Sequence, residues 1–157
     1  MLYSLLKTVH VLSIVLWVGG MAFAHFCLRP AVAALEPPIR LRLMHDVLGR
    51  FFRAVLVASL LALASGLWML GRVAKGVVQS GGRFEMPLAW WVMTILGIAM
   101  VAIFFYIRFS LHRTLDRAVA GAEWPAAGAA LAHIRRWVSI NLLIGTAVLV
   151  VTLLGSR

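Results

Sequence analysis

The chain has 157 residues, and only 13% of them are charged while 63% are hydrophobic. This composition excludes an ordinary soluble domain, in which about a quarter of the residues are charged. The formal net charge of +10 does not indicate nucleic-acid binding, because the arginines lie in the gaps between apolar runs rather than in one basic domain. Lipid is therefore the predicted main solvent, and no nucleic acid is expected among the partners.

Four apolar runs are each long enough to cross a bilayer, which takes about 20 residues of helix. They cover residues 2–28, 51–70, 86–109 and 137–154. Each must be helical, because an open strand in lipid would leave its backbone groups unpaired. Ala22-Phe23-Ala24 resembles a signal-peptidase site, but the apolar run continues past it, so we expect the first span to be retained. The predicted fold is an all-α membrane protein, an antiparallel four-transmembrane-helix bundle that forms a single domain over residues 1–157.

The distribution of Lys and Arg predicts how the spans are oriented. Ten arginines fall in the connections between spans one and two and between spans three and four: Arg29, Arg40, Arg42, Arg50, Arg53, Arg108, Arg113, Arg117, Arg135 and Arg136. Five basic residues fall on the opposite side: Lys7, Arg72, Lys75, Arg83 and Arg157. By the positive-inside rule both connections are cytoplasmic and both termini periplasmic, in a multi-pass protein of a bacterial inner membrane.

Both cytoplasmic connections contain predicted helix. Residues 39–53 carry apolar side chains at helical spacing behind Pro37-Pro38, which indicates an amphipathic lead-in to the second span. Residues 111–136 are typical of extensions of the third and fourth helices, broken at Trp124-Pro125. Small residues along the spans allow close helix contact, so a homodimer is an expected assembly.

The histidines are the strongest candidates for chemistry. His10 lies inside the first span, whereas His25, His45, His112 and His133 lie near the cytoplasmic ends of the four spans in turn. Facing helices of a bundle can build haem or metal sites, and haem b needs one or two neutral imidazoles. In this interpretation His10 ligates one haem, and the four cytoplasmic-side histidines are candidates for holding a second. Gly19 and Gly20 give the porphyrin room, and Arg50 or Arg53 meets its propionates. The alternative is that the four cytoplasmic-side histidines are ordinary interfacial residues, at a wet boundary where histidine is stable.

A methionine stripe is the second signal. Met86, Met93 and Met100 recur every seven residues in the third span and therefore share one helix face. Adaptable core packing is one explanation, and ligation of Cu(I) or of haem iron is the other. His10 and Met93 lie at similar depths from the periplasmic side, so they are candidates for the two axial ligands of one haem. In a copper site, Met93, Met100 and Cys27 would supply soft sulfur.

Several motifs carry a family resemblance. Lys7-Thr-Val-His10, Leu16-Trp17-Val-Gly19-Gly20 and Phe26-Cys-Leu-Arg29-Pro30 look like the first helix of the copper resistance protein D (CopD) family. Gly49-Arg50-Phe51-Phe52-Arg53 with Ser65-Gly66-Leu67 resembles its second helix, and Arg136 with Asn141-Leu-Leu-Ile-Gly145 its last. The chain is also distantly similar to HemJ-type protoporphyrinogen oxidases, which implies that His10 is a haem ligand. Their third-helix lysine is replaced here by Trp91-Val92-Met93. The CopD resemblance implies copper uptake or tolerance.

Three functions therefore stand as hypotheses. The preferred one is a haem-b protein of the inner membrane that transfers electrons to or from a membrane redox partner, or acts as a haem-dependent oxidoreductase. The second is a copper-handling protein of the CopD type, and the third is a cofactor-free structural or assembly subunit. All five acidic residues, Asp116 among them, fall at span ends or in connections, which argues against a carboxylate-based transporter. Enzymatic activity stays open, because no acid–base pair is evident within the spans.

Overall fold

The computed structural model describes residues 1–154 and contains, within that range, four long helices and no strand. The helices are α1 (Leu2–Ala31), α2 (Pro37–Gln79), α3 (Leu88–Ala120) and α4 (Trp124–Leu154), and each is long and apolar enough to cross a membrane. Short connections join them, so consecutive helices run antiparallel. The predicted all-α, four-helix membrane fold is confirmed. Arg157, one of the five basic residues assigned to the side of the termini, lies outside the described residues.

The helices extend well beyond the predicted spans. α2 has 43 residues, which at 1.5 Å per residue makes it about 65 Å long, roughly twice the hydrocarbon thickness of a bilayer. Its first turns, from Pro37, form the predicted amphipathic lead-in as one continuous helix with the second span. The break before α4 lies at residues 121–123, where Ala122 has a positive φ of 54°, and Trp124-Pro125 begins α4. Proline is tolerated in a first turn, because the N–H it lacks would have no helical partner there.

The buried core lies toward one end of the bundle. We call this the connection end, because it carries the α1–α2 connection (residues 32–36) and the α3–α4 connection (residues 121–123). α1 packs mainly against α2, and α3 mainly against α4. Aromatic rings join the two pairs, since Phe104 of α3 makes edge-to-face contacts with Trp17 of α1 at 5.8 Å and with Phe52 of α2 at 6.1 Å between ring centroids. The first buried residue of α3 is Met100, so its preceding turns lie outside the core.

Two helices contain a short π-helical segment. In α1 it covers Ala24–Leu28, and in α3 it covers Ile107–Leu111. Both lie at the connection end of the bundle. A π segment adds a residue to a turn and so rotates everything that follows it around the helix axis, and such segments recur at functional sites. His25 lies inside the first segment and His112 directly follows the second.

The outer surface of the bundle is apolar along the spans. Val57, Leu60, Ile95, Ile98 and Leu143 each expose half or more of their side-chain surface. Such a surface would be unfavourable in water over this length, whereas in a bilayer it contacts acyl chains. The protein is therefore a multi-pass membrane protein in contact with the lipid bilayer.

Candidate metal site at the connection end

Three side chains that bind metals meet at the connection end. His45 is in the lead-in segment of α2, and His112 and Asp116 lie four residues apart on α3, so one face of α3 presents both. One ligand atom from each residue can be chosen so that all three atoms lie within 4.8 Å of one another. The π segment that ends at Leu111 sets the position around the helix axis of the side chains of His112 and Asp116. We call this group the His–His–Asp cluster.

His45 lies between two carboxylates. Its Nε2 is hydrogen-bonded to Oδ1 of Asp116 across the α2–α3 interface, and its Nδ1 lies 3.1 Å from Oδ1 of the neighbouring Asp46. The rings of His45 and His112 are stacked, with centroids 5.6 Å apart and an interplanar angle of 17°. The ring of His45 is thus oriented from both of its nitrogens and from one face.

His112 is buried beside Asp116. Only 4% of its surface is exposed, and within the described residues neither ring nitrogen has a hydrogen-bond partner. Its Nδ1 lies 3.3 Å from Oδ2 of Asp116, close enough for an ion pair but without hydrogen-bond geometry. The edge of Phe52 packs on the ring at 5.4 Å. Nδ1 thus has the carboxylate of Asp116 as its ionic neighbour, and among the described residues Nε2 has no hydrogen-bond partner, so His112 can offer a ring nitrogen to a metal ion beside His45 and Asp116.

The donor set fits a borderline divalent metal ion. Metal–ligand bonds of about 2.1 Å place tetrahedral donor atoms about 3.4 Å apart, so the side chains need only small rotations to close on an ion. Imidazole and carboxylate ligands suit Cu(II) and Zn(II), whereas Cu(I) prefers thiolate and thioether sulfur. Asp46 adds a second carboxylate against His45 Nδ1, the arrangement that commonly fixes the tautomer of a metal-binding histidine.

The remaining predicted histidines lie apart from this cluster. His25 is half-buried, with its Nδ1 3.3 Å from Oγ of Ser139 on α4 and its ring edge-on to Phe26. His133 is exposed on α4. Of the four histidines expected near this end, the structure therefore joins His45 and His112 in one cluster.

His10 packs against α2 within the other half of the bundle. Its Nδ1 donates to the carbonyl oxygen of Ala62 at 2.8 Å and lies 3.2 Å from Oγ of Ser65. Its Cε1 would be 3.1 Å from a Cβ at Gly66, so this glycine provides the space for the ring. Because a carbonyl oxygen only accepts, Nδ1 carries the proton and Nε2 carries the lone pair.

The methionines of the stripe differ in their surroundings. Met100 is 3% exposed, and its Cε and Sδ fill the space beside Gly145 of α4. Its carbonyl oxygen accepts a hydrogen bond of 3.3 Å from Nδ2 of the buried Asn141. Met93 is half-buried and precedes the buried part of α3. Met100 therefore has the contacts of a core residue.

The other predicted site residues are mostly on the surface. Arg50, Arg53 and Cys27 are exposed. A Cβ at Gly19 would meet nothing within 4 Å, whereas the space beside Gly20 is filled by the ring of Phe51 on α2. The structure thus uses Gly20 for contact between helices.

Sequence reasoning missed Asp116 as a site residue. The residue was assigned to a connection together with the other acids, although His112 and Asp116 at i and i+4 were a signal in the sequence. The adjacent pair His45-Asp46 was a second, weaker signal. Neither spacing reveals which helices adjoin, and the contact between α2 and α3 brings the two signals together.

No curated protein and no solved structure matches this chain. The sequence model of the CopD family, described as copper resistance protein D, matches residues 45–154. This range includes the whole His–His–Asp cluster, whereas His10 and His25 lie before it. The match covers more than half of the 157 residues and confirms the CopD resemblance, with the second-helix and last-helix motifs inside it and the first-helix motifs before it. The chain therefore belongs to the copper resistance protein D (CopD) family.

Proposed function

We propose that this protein handles copper in the membrane, in transport or tolerance, and binds the ion through the His–His–Asp cluster. The observation that carries the proposal is the meeting of His45, the buried His112 and Asp116, each of which offers a ligand atom within 4.8 Å of the others. Membership of a family named for copper resistance supports copper as the ion. These observations favour copper over haem, which was preferred from the sequence.

Each residue of the cluster has a distinct part in binding. The ring of His112 is available to the ion, because its burial between helices keeps it from contact with solvent. His45 and Asp116 are hydrogen-bonded to each other, and the ion takes the place of that hydrogen bond. Asp46 keeps its contact with Nδ1 of His45 when the ion binds, and so orients the ring. Because divalent copper binds N and O ligands more tightly than zinc does, the site is expected to prefer Cu(II) over Zn(II).

The cluster lies at the end of the bundle that carries ten of the fifteen basic residues. By the positive-inside rule we propose that this end is cytoplasmic and that the termini face the periplasm of a bacterial inner membrane. The copper site then lies at the cytoplasmic mouth of the bundle, where an ion could be received from or delivered to the cytoplasm.

The proposal is tested by titrating the detergent-purified protein with Cu(II), and with Cu(I) under reductant, against a chelator of known affinity. Wild-type protein should bind one copper ion, confirmed by metal analysis of the same sample. Asp116→Asn and His45→Gln should each weaken binding by at least about tenfold, since even partners outside the ligand shell are worth that much. His133→Gln is the matched control, because this histidine is exposed at the same end.

Two outcomes of this titration count against the proposal. Copper binding that is equal in wild type, Asp116→Asn and His45→Gln would remove the cluster from the site. Wild-type protein that binds no copper in either oxidation state would favour the cofactor-free structural or assembly subunit. Folding of each variant is checked by size-exclusion chromatography and helical circular dichroism.

Haem b at His10 is the second candidate function, in electron transfer with a membrane redox partner. One observation favours it: the bond from Nδ1 to Ala62 fixes the tautomer and leaves Nε2 as the atom with a lone pair. Protein from haem-replete cells should then show a Soret band and sharp α and β bands on reduction. His10→Ala should lose them and His133→Gln should retain them. A colourless wild-type sample would refute this candidate.

A further inference from the structure

A cavity of about 310 Å³ opens at the connection end between α1, α2 and α4. Its walls come from the π segment and last turn of α1, the lead-in of α2 and the first turns of α4. Leu48 and Val138, which are buried and lie toward the predicted second and fourth spans, give it an apolar floor. This volume is at the lower limit of small-molecule pockets, about 300 Å³. The cavity is separate from the His–His–Asp cluster, whose residues are not among those that line it.

Three arginines from three different helices line the cavity. They are Arg29 of α1, Arg40 of α2 and Arg135 of α4, and no acidic side chain lines it with them. Nη1 of Arg40 donates to the carbonyl oxygen of Ala33 at 3.3 Å. Among the described residues none of the three forms an ion pair with a carboxylate. Most of their guanidinium donors are therefore available to an anion in the cavity, which three positive charges and no negative one favour.

The position of the cavity indicates which anion it takes. Arg29 directly follows the predicted first span and Arg135 closely precedes the predicted fourth, so these two residues lie where a bilayer places its headgroups, whereas Arg40 lies farther from the span, in the lead-in of α2. An apolar floor on the membrane side of these arginines matches a molecule with a phosphate on one side and hydrocarbon on the other. Basic pockets between transmembrane helices recognise anionic lipid headgroups in this way. A free phosphate ion would use the arginines alone and leave the apolar floor bare.

We infer that this cavity binds the headgroup phosphate of an anionic phospholipid, with its glycerol and upper acyl carbons on the apolar floor. The three guanidinium groups hold the phosphate through charge-assisted hydrogen bonds, for which arginine is well suited. The lipid then bridges α1, α2 and α4 at the end of the bundle, where α1 and α4 share few other contacts besides the pair His25 and Ser139. The inference does not depend on copper binding.

The test is native mass spectrometry and thermal unfolding of the full chain after delipidation in a neutral detergent. Phosphatidylglycerol, phosphatidylcholine and inorganic phosphate are added separately. We expect phosphatidylglycerol to be retained at least about tenfold better than phosphatidylcholine and to raise the unfolding temperature. Inorganic phosphate should have little effect at the same concentration. Stabilisation by inorganic phosphate equal to that by phosphatidylglycerol would overturn the lipid assignment in favour of a free-anion site.

Variants establish whether the cavity is responsible. Arg29→Gln, Arg40→Gln and Arg135→Gln together should abolish the preference for phosphatidylglycerol, and Arg135→Gln alone should weaken it if the triple variant does not fold. The matched control replaces Arg53, Arg117 and Arg136 with Gln, because these arginines lie at the same end but do not line the cavity. Equal losses in the cavity set and in the control set would overturn the inference, since they would indicate unspecific attraction to the basic end.

Discussion

Gly20→Ala is the substitution whose effect the structure predicts most directly. The added Cβ would lie 2.8 Å from Cζ of Phe51 and closer still to its Cε2. Carbon atoms pack best at about 3.5–4.0 Å, so the ring must withdraw by about 1 Å. Phe51 packs against the core cluster, which limits its movement. Overpacking of this kind costs about 1–3 kcal/mol in the free energy of unfolding.

Gly19→Ala is the matched control, because a Cβ there meets nothing within 4 Å. Both substitutions gain the helix propensity of alanine, worth up to about 1 kcal/mol, so the difference between the two variants isolates the contact with Phe51. We expect Gly20→Ala to be less stable than Gly19→Ala by about 1–3 kcal/mol in SDS-induced unfolding monitored by circular dichroism. In Phe51→Leu protein, which lacks the ring, most of this difference should vanish.

If the free energies of unfolding of the two glycine variants agreed within about 0.5 kcal/mol, the predicted clash with Phe51 would be absent. Substitutions that make no new contact are expected to agree to within this amount. Such agreement would mean that α1 and α2 do not meet at Gly20. A difference that persists in the Phe51→Leu background would instead assign the clash to another residue. Gly20 was also predicted to give a porphyrin room, but the haem content of the variants would not replace this measurement, because haem content does not report on helix packing.

Three further predictions concern the metal site. Gly49→Ala places a methyl group 3.7 Å from Nε2 of His112. If Nδ1, which faces Asp116, is the copper ligand, this substitution should leave the copper affinity unchanged. A loss of affinity above tenfold in the titration would assign Nε2 as the ligand instead. Copper affinity should fall as the pH is lowered from 8 to 5, because imidazole binds metal only when unprotonated. A pH-independent affinity over this range would contradict histidine ligation. Leucine at both Met93 and Met100 should leave copper binding unchanged, since the proposed ligands are nitrogen and oxygen; weakened binding would restore the methionine stripe as a ligand set.

The fold was predictable because apolar run length and the pairing of backbone groups in lipid leave few alternatives. The lead-in of α2 also followed from the sequence, through helical spacing behind Pro37-Pro38. The break before α4 was predicted at Trp124-Pro125, whereas it lies at residues 121–123. A proline that follows a helix break and one that causes it look alike in a sequence. The two π segments had no sequence signal at all.

The site was predictable only in part. His45 and His112 were candidates because of their residue type and their position near one membrane face, but so were His25 and His133, and sequence position does not separate them. The pairing of α2 with α3 at the connection end decides which histidines meet. Asp116 was missed because a carboxylate outside the spans has many roles that need no metal. The π segment Ile107–Leu111 also rotates the rest of α3 about its axis, and the spacing of residues in the sequence does not reveal this rotation.

Electron paramagnetic resonance of the Cu(II)-loaded protein counts the nitrogen atoms bound to copper, and so tests whether the His–His–Asp cluster binds the ion. We expect one copper per chain with two imidazole nitrogens in wild type and a single imidazole nitrogen in His45→Gln, while His133→Gln retains the wild-type spectrum. A copper signal that is identical in wild type and His45→Gln, or the lack of any specifically bound copper, would contradict copper binding by this cluster.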